Sequence, residues 1–417
     1  MRATIGIVAA GLFTQAAAGQ VHANDGRREA IATVTEYRSL CQRDDGRLWG
    51  LSLCGPLLIV DPQTRTFDAY RDIGRDPTAR DAIVSDTLPA DVGVANTAID
   101  WNGTRWTMVV LPLPDDPRKR AELLMHEAFH RIQPERLPPP TAPLPAHLDT
   151  REGRETMRLE WRALAEALRS HGAAQRVAIR DALSFREARR RLGATATAGE
   201  QALEINEGVA EYTGKRLGSA DGVASTLATL DDYDRRDGYV RSFAYASGPA
   251  YGLLLDRWSP GWTHAVRPSD DLGELLYRAT GDTPLPDPSS VRDRYGYADV
   301  HADEQRREAA RDKQLAVWRE RLVDGPTVWV PLQAMQIEFD PRNLVAMPGI
   351  GTVYPHAILH DTWGTLTVTD GLLVADGGQS ARVRGPASGK GQSYSGPGWQ
   401  LALSPGWTLE DGRIRQR

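Results

Sequence analysis

The sequence predicts an α+β chain, with a β-rich N-terminal region ending in a hairpin, a helical region, and a C-terminal all-β domain. Three observations carry that expectation. Residues 97–111 read as two strands joined by Asn102-Gly103, the pair that suits the left-handed backbone of a type I′ turn. From about 116 to 324 apolar residues recur at helical spacing, punctuated by Gly and Pro. Beyond Gly325 helix formers thin out, and β-branched runs alternate with Gly-Pro turns.

Taken in order, residues 1–23 read as an export signal. Arg2 gives a basic start, Ile5 to Phe13 an apolar stretch too short to span a bilayer, and Val21-His22-Ala23 a small-residue exit. Cleavage is expected after Ala23, with Ala18 as the alternative, and the absence of a nearby Cys gives no lipid anchor. The chain is thus expected in the periplasm or outside the cell. There Cys41 and Cys54 are expected to form a disulfide. Residues 24–115 read as β-rich, with Leu57 to Val60 a short apolar strand. Asp115-Asp116-Pro117 signals a helix start and Pro134 its end, which predicts a helix over 117–133. Further helices are expected near 151–170, 173–192 and 200–217, after a proline-rich loop from Pro138 to Pro145. Residues 222–322 stay mainly helical, with Asp231-Asp232 and Asp270-Asp271 expected as helix caps. The tail 326–417 predicts a small sandwich or barrel in which Trp363, Trp399 and Trp407 are expected to pack the core, with a binding face as the alternative.

With 417 residues the chain is long enough for two or three domains, and 41% hydrophobic content fills their cores. A net charge of −5 argues against a nucleic-acid or anionic-membrane partner. The runs Arg189-Arg190-Arg191 and Arg306-Arg307 are expected on solvated helix faces.

The pentapeptide His126-Glu127-Ala128-Phe129-His130 is where chemistry concentrates. On a helix its two His lie about 40° apart, close enough to hold one ion, and Glu127 stands about 100° from His126 on the same helix. Ala121, Leu124, Met125, Ala128, Phe129 and Ile132 fall on the opposite face, so the helix has one side for packing and one for chemistry. A hydrolytic zinc site needs a third protein ligand. Gln133 and Arg136 occupy the places where a metzincin would have Gly and a third His, so that pattern is excluded. Downstream, Asn206-Glu207-Gly208-Val209-Ala210-Glu211-Tyr212 lies in the 200–217 helix, where Glu204, Glu207 and Glu211 are expected on one stripe opposite apolar residues.

H-E-x-x-H followed by N-E-G-x-A-E-Y resembles the gluzincin metallopeptidases, the clan of thermolysin and the aminopeptidase N group. The resemblance covers about residues 106–260 and implies a catalytic domain built of a sheet and a helical lobe. It implies zinc held by His126, His130 and Glu207, with Glu211 orienting a ligating His. Tyr245-Ala246-Ser247-Gly248 matches the aminopeptidase N element whose tyrosine faces the oxyanion, which gives Tyr245 that role; His264 and Tyr251 are the alternatives. The 97–111 hairpin is then the edge that takes an extended substrate backbone.

The chemistry expected is metal-assisted amide hydrolysis, in which the ion acidifies its water and Glu127 carries the proton to the leaving amine. The acidic segment that holds a free amine in the aminopeptidase N group is replaced here by Gly93-Val94-Ala95-Asn96-Thr97, so the resemblance supports the zinc chemistry more than exopeptidase specificity. Two alternatives stand beside a zinc peptidase acting on peptide or protein substrates. One is an aminopeptidase whose amine anchor comes from elsewhere, such as Glu204; the other is a secreted binding protein over a structural or degenerate zinc site.

Overall fold

A computed structural model describes residues 13–71, 83–89, 91–281, 283–339, 344–347, 349–375 and 377–416, with side chains from Arg27 onward. The expected export signal, residues 1–23, therefore lies outside the described residues apart from a helical backbone from Phe13. Helix α1 (Phe13–Asp44) runs where a β-rich region is predicted. The reason is visible in its spacing: Ala30, Val34, Tyr37 and Cys41 recur every three or four positions and are all buried. Cys41, in the last turn of this helix, forms the expected disulfide with Cys54.

Five strands follow: β1 (Leu57–Val60), β2 (Thr66–Tyr70), β3 (Ile83–Thr87), β4 (Thr97–Trp101) and β5 (Thr104–Val110). Their order in the sheet is β3-β2-β1-β5-β4. β1 lies parallel to β5 and is buried along its whole length, which explains its unbroken apolar run. β4 and β5 form the predicted hairpin, with Asn102 at φ 51° and Gly103 at φ 72° as a type I′ turn demands. β4 is left at the sheet edge.

Helix α2 (Pro117–Arg136) starts as expected, with Asp116 accepting from the Arg118 and Lys119 amides and Pro117 in the first turn. It does not stop at Pro134. That proline leaves the His130 carbonyl without its helical donor, and Arg105 of β5 supplies one, its Nη2 at 3.4 Å from His130 O and its Nε at 3.0 Å from Arg131 O. The helix can therefore carry on to Arg136. Its predicted apolar face is buried throughout.

Helices α3 (Arg151–Arg169), α4 (Gly172–Arg190), α5 (Ala196–Leu203), α6 (Val209–Gly218), α7 (Gly222–Asp234) and α8 (Ala244–Trp258) build most of the helical lobe. One apolar cluster joins the sheet residues Ile59 and Val109 to Leu124 and Phe129 of α2, Trp161 of α3 and Tyr212 of α6. Between α5 and α6 the chain widens into a π-turn, Glu204–Gly208, so the predicted 200–217 helix is continuous but not uniform. α6 meets α2 backbone to side: a Cβ on Gly214 would lie 2.6 Å from the Glu122 carbonyl oxygen, so only glycine permits this approach. Asp271 caps the helix Leu272–Thr280 as expected. Asp231 and Asp232 do not cap; they sit in the last turns of α7 and pair with Arg235 and Arg236 one turn on.

The chain divides into two compact units, Met1–Val300 and His301–Arg417. The second carries most of the helix Tyr297–Arg319 and then two sheets of six and seven strands. Val328, Val330 and Val383 from one sheet share a core with Leu359, Leu366 and Leu401 from the other, as in a sandwich. Trp363 and Trp399 are buried there with their indole N–H groups on the Pro331 and Arg384 carbonyls, the expected packing role. Among the described residues no helix is long and apolar enough to cross a membrane.

Candidate functional site

His126 and His130 stand one turn apart on α2, and each donates its Nδ1–H to a fixed acceptor. For His126 that acceptor is Glu211 Oε2 at 2.9 Å. For His130 it is Gln133 Oε1 at 2.8 Å, and the Gln133 amide can present only its oxygen because its nitrogen donates to the Ile205 and Asn206 carbonyls. Both Nε2 lone pairs therefore turn inward. They lie 3.0 Å apart, and Glu207 Oε2 lies 3.5 and 3.4 Å from them. Three electron-pair donors so close repel one another unless a cation lies among them. A tetrahedral ion with ligands at about 2.0–2.1 Å has edges of about 3.3–3.4 Å, the scale of this triangle. His126, His130 and Glu207 thus form a group able to hold a metal ion.

A proton is the other cation that can fill the gap. Burial opposes it at His126, but the bonds to Glu207 and Glu211 outweigh burial and push that imidazole up to about 10. Burial likewise favours a neutral Glu207, yet hydrogen bonds from His126 and His130 hold its carboxyl well below the usual carboxylate range.

The π-turn presents Glu207. A regular helix would bring Glu204 and Glu211, seven residues apart, onto one face; the wider turn rotates them apart. Glu207 and Glu211 reach the His pair, whereas Glu204 is 1% exposed and gripped at both oxygens by Arg186. Glu204 therefore cannot serve as the amine anchor. It belongs to a buried ionic cluster in which Arg189 joins Glu160 to Glu200 and Arg190 reaches Asp271. The run 189–191 is not on a solvated face as expected: Arg189 is buried and Arg190 largely so, because three carboxylates in the lobe's interior need counter-charges, and only Arg191 stays exposed.

α8 crosses the π-turn where Gly248 meets Gly208, and a Cβ on Gly248 would lie 2.2 Å from the Gly208 Cα. That contact sets Tyr245, one turn earlier, into the site. Its ring stacks parallel to His126 at 5.7 Å, and its hydroxyl donates to Glu207 Oε2 at 2.7 Å. Burial and the Glu207 charge raise the phenol well above its usual value, so it remains a neutral donor. The hydroxyl thus rests on the third carboxylate in this structure. The two alternatives are elsewhere: Tyr251 is buried on Glu160, and His264 bonds the Arg47 carbonyl.

Glu127 is 4% exposed, and its Oε2 is buried without a hydrogen-bond partner among the described residues. Burial raises its carboxyl above the ordinary value, and the two imidazoles pull it down. Two chambers of about 830 and 260 Å³ share Asn96, His126, Glu127 and Tyr245 as walls. Thr97 and Ala98 of β4 line the smaller one, so the predicted edge strand borders the site.

Two supporting residues went unread in the sequence. Gln133 appeared only as a departure from another pattern, although its place three residues after His130 sets it on the same face. Lys215, one turn after Glu211, bridges Glu211 Oε1 at 3.2 Å and Glu122 Oε2 at 2.6 Å; the i,i+4 spacing was its signal. Gln133→Leu should keep the fold and weaken metal binding about 10–100-fold by releasing the His130 tautomer. Competition with a chelator measures this, and an affinity within threefold of wild type would show that Gln133 does not orient the ring.

Set against protein-family models, curated proteins and solved structures, the chain matches none.

Proposed function

We propose that this chain is an exported zinc peptidase of the gluzincin type. The observation that carries the reading is the inward convergence of His126 Nε2, His130 Nε2 and Glu207 Oε2 beside a buried Glu127 carboxylate oxygen that has no hydrogen-bond partner among the described residues. A structural metal site needs no such base, which disfavours the binding-protein alternative. The Cys41–Cys54 disulfide agrees with an oxidising compartment.

Bound there, zinc would act as a Lewis acid toward the substrate carbonyl and make water a stronger nucleophile at neutral pH. Glu127 would accept the proton of the attacking water and return it to the leaving amine. Glu211 and Gln133 hold the two imidazoles in the tautomers that metal binding needs. Tyr245, whose hydroxyl already borders the Glu207 oxygen, would donate to the oxyanion as charge develops. The outer edge of β4 would align an extended peptide through main-chain hydrogen bonds.

The test is hydrolysis of a mixed peptide library followed by mass spectrometry. Wild type should cut, a strong chelator should abolish cutting, and added zinc should restore it. Cutting that survives complete metal removal would defeat the proposal. The position of the cuts separates internal from terminal cleavage.

A further inference from the structure

The larger chamber differs from the smaller in its accessible charge. Apart from Glu127, the base shared with the smaller chamber, its acids are taken up by neighbours: Glu122 by Lys215, Ser219 and Ser225, Asp232 by Arg236, and Glu211 by His126 and Lys215. Two cations on the first turn of α2 remain open to solvent. Lys119 has no side-chain partner among the described residues. Arg118 is steadied by Ser225 Oγ at 3.1 Å and has only a loose, exposed contact with Asp116 at 3.5 Å. Both line the same wall as His126 and Glu127.

The helix also provides a ruler. Lys119 precedes His126 by seven residues, two turns, so the two lie within about 20° on one face and about 10.5 Å apart along the axis. An extended peptide covers that distance in about three residues. Resting on the peptidase reading, we infer that this chamber receives a substrate carboxylate two to three residues from the bond cut, held by Lys119 and Arg118. The carboxylate can belong to an Asp or Glu side chain or to the peptide's own C-terminus; either offers the same chemistry to an ammonium and a guanidinium.

Matched peptides decide this. In one series Glu, Gln or Lys stands two or three residues from the cut, on either side; in another the C-terminus is free or amidated at the same distances. For wild type a carboxylate on one side should raise kcat/KM about tenfold over its neutral partner, an advantage that shrinks as salt is added. Lys119→Glu, and more strongly Arg118→Glu/Lys119→Glu, should reverse the ranking in favour of Lys. Preference in the side-chain series alone assigns the chamber to internal acidic residues; preference in the terminal series alone assigns it to chain ends. Cutting by wild type with no charge preference, or a preference unchanged in both variants, overturns the inference and leaves the peptidase reading standing. No cutting of any peptide by zinc-loaded wild type overturns both.

Discussion

Glu207→Ala should emerge from purification with little zinc, the largest single effect expected at this site. Glu207 Oε2 is one corner of a triangle whose other corners are the two imidazole nitrogens, and alanine leaves only two donors on one helix. The loss should exceed the 10–100-fold that a supporting contact controls. Glu211→Ala provides that comparison: it frees His126 Nδ1, so it should keep metal at an affinity lowered by about 10–100-fold. Metal analysis of the two variants beside wild type, with melting curves to establish that each is folded, gives the ranking. Full zinc in folded Glu207→Ala would remove Glu207 from the ligand set and turn attention to Glu211, the nearest other carboxylate on His126.

Glu127→Gln should separate binding from chemistry. Gln keeps the volume of the side chain and can still hydrogen-bond, but it cannot accept a proton, so zinc content should be retained while kcat falls by on the order of 10²–10⁴. Because Glu211 and Gln133, not Glu127, hold the two imidazoles, their orientation should not change. Peptide hydrolysis under saturating substrate measures the loss. If the variant cuts as fast as wild type, the proton is carried by another group; if neither cuts, the binding-protein reading takes precedence.

Local chemistry explains what could be read from the amino acids alone. Asn102-Gly103, Asp116-Pro117 and the apolar run of β1 each encode a backbone preference that needs no distant partner, and each forms where expected. The spacing of His126 and His130 is likewise a property of one helix. What escaped depends on partners far along the chain. Pro134 stays helical because Arg105 caps the carbonyl it strands. Glu204 looks like part of the acidic stripe at the site, and Arg189 like a surface charge, until α3, α4 and the π-turn are assembled around them. α1 escapes for a different reason: its buried spacing is present from Ala30 to Cys41, but the strand signals that follow from Leu57 dominate the region.

The π-turn at Glu204–Gly208 has a consequence for descent as well as for chemistry. A wide turn of this kind holds one residue more than a regular turn, and each residue advances a helix by about 100°. Because of it, one helix serves two clients on different sides, the Arg186 cluster through Glu204 and the His pair through Glu207 and Glu211. A related chain lacking that extra residue could keep every letter of H-E-x-x-H and N-E-G-x-A-E-Y and still aim its third carboxylate away from the histidines. For proteins of this kind, an insertion or deletion count between the two motifs and the ionic cluster is as informative about activity as the motifs themselves.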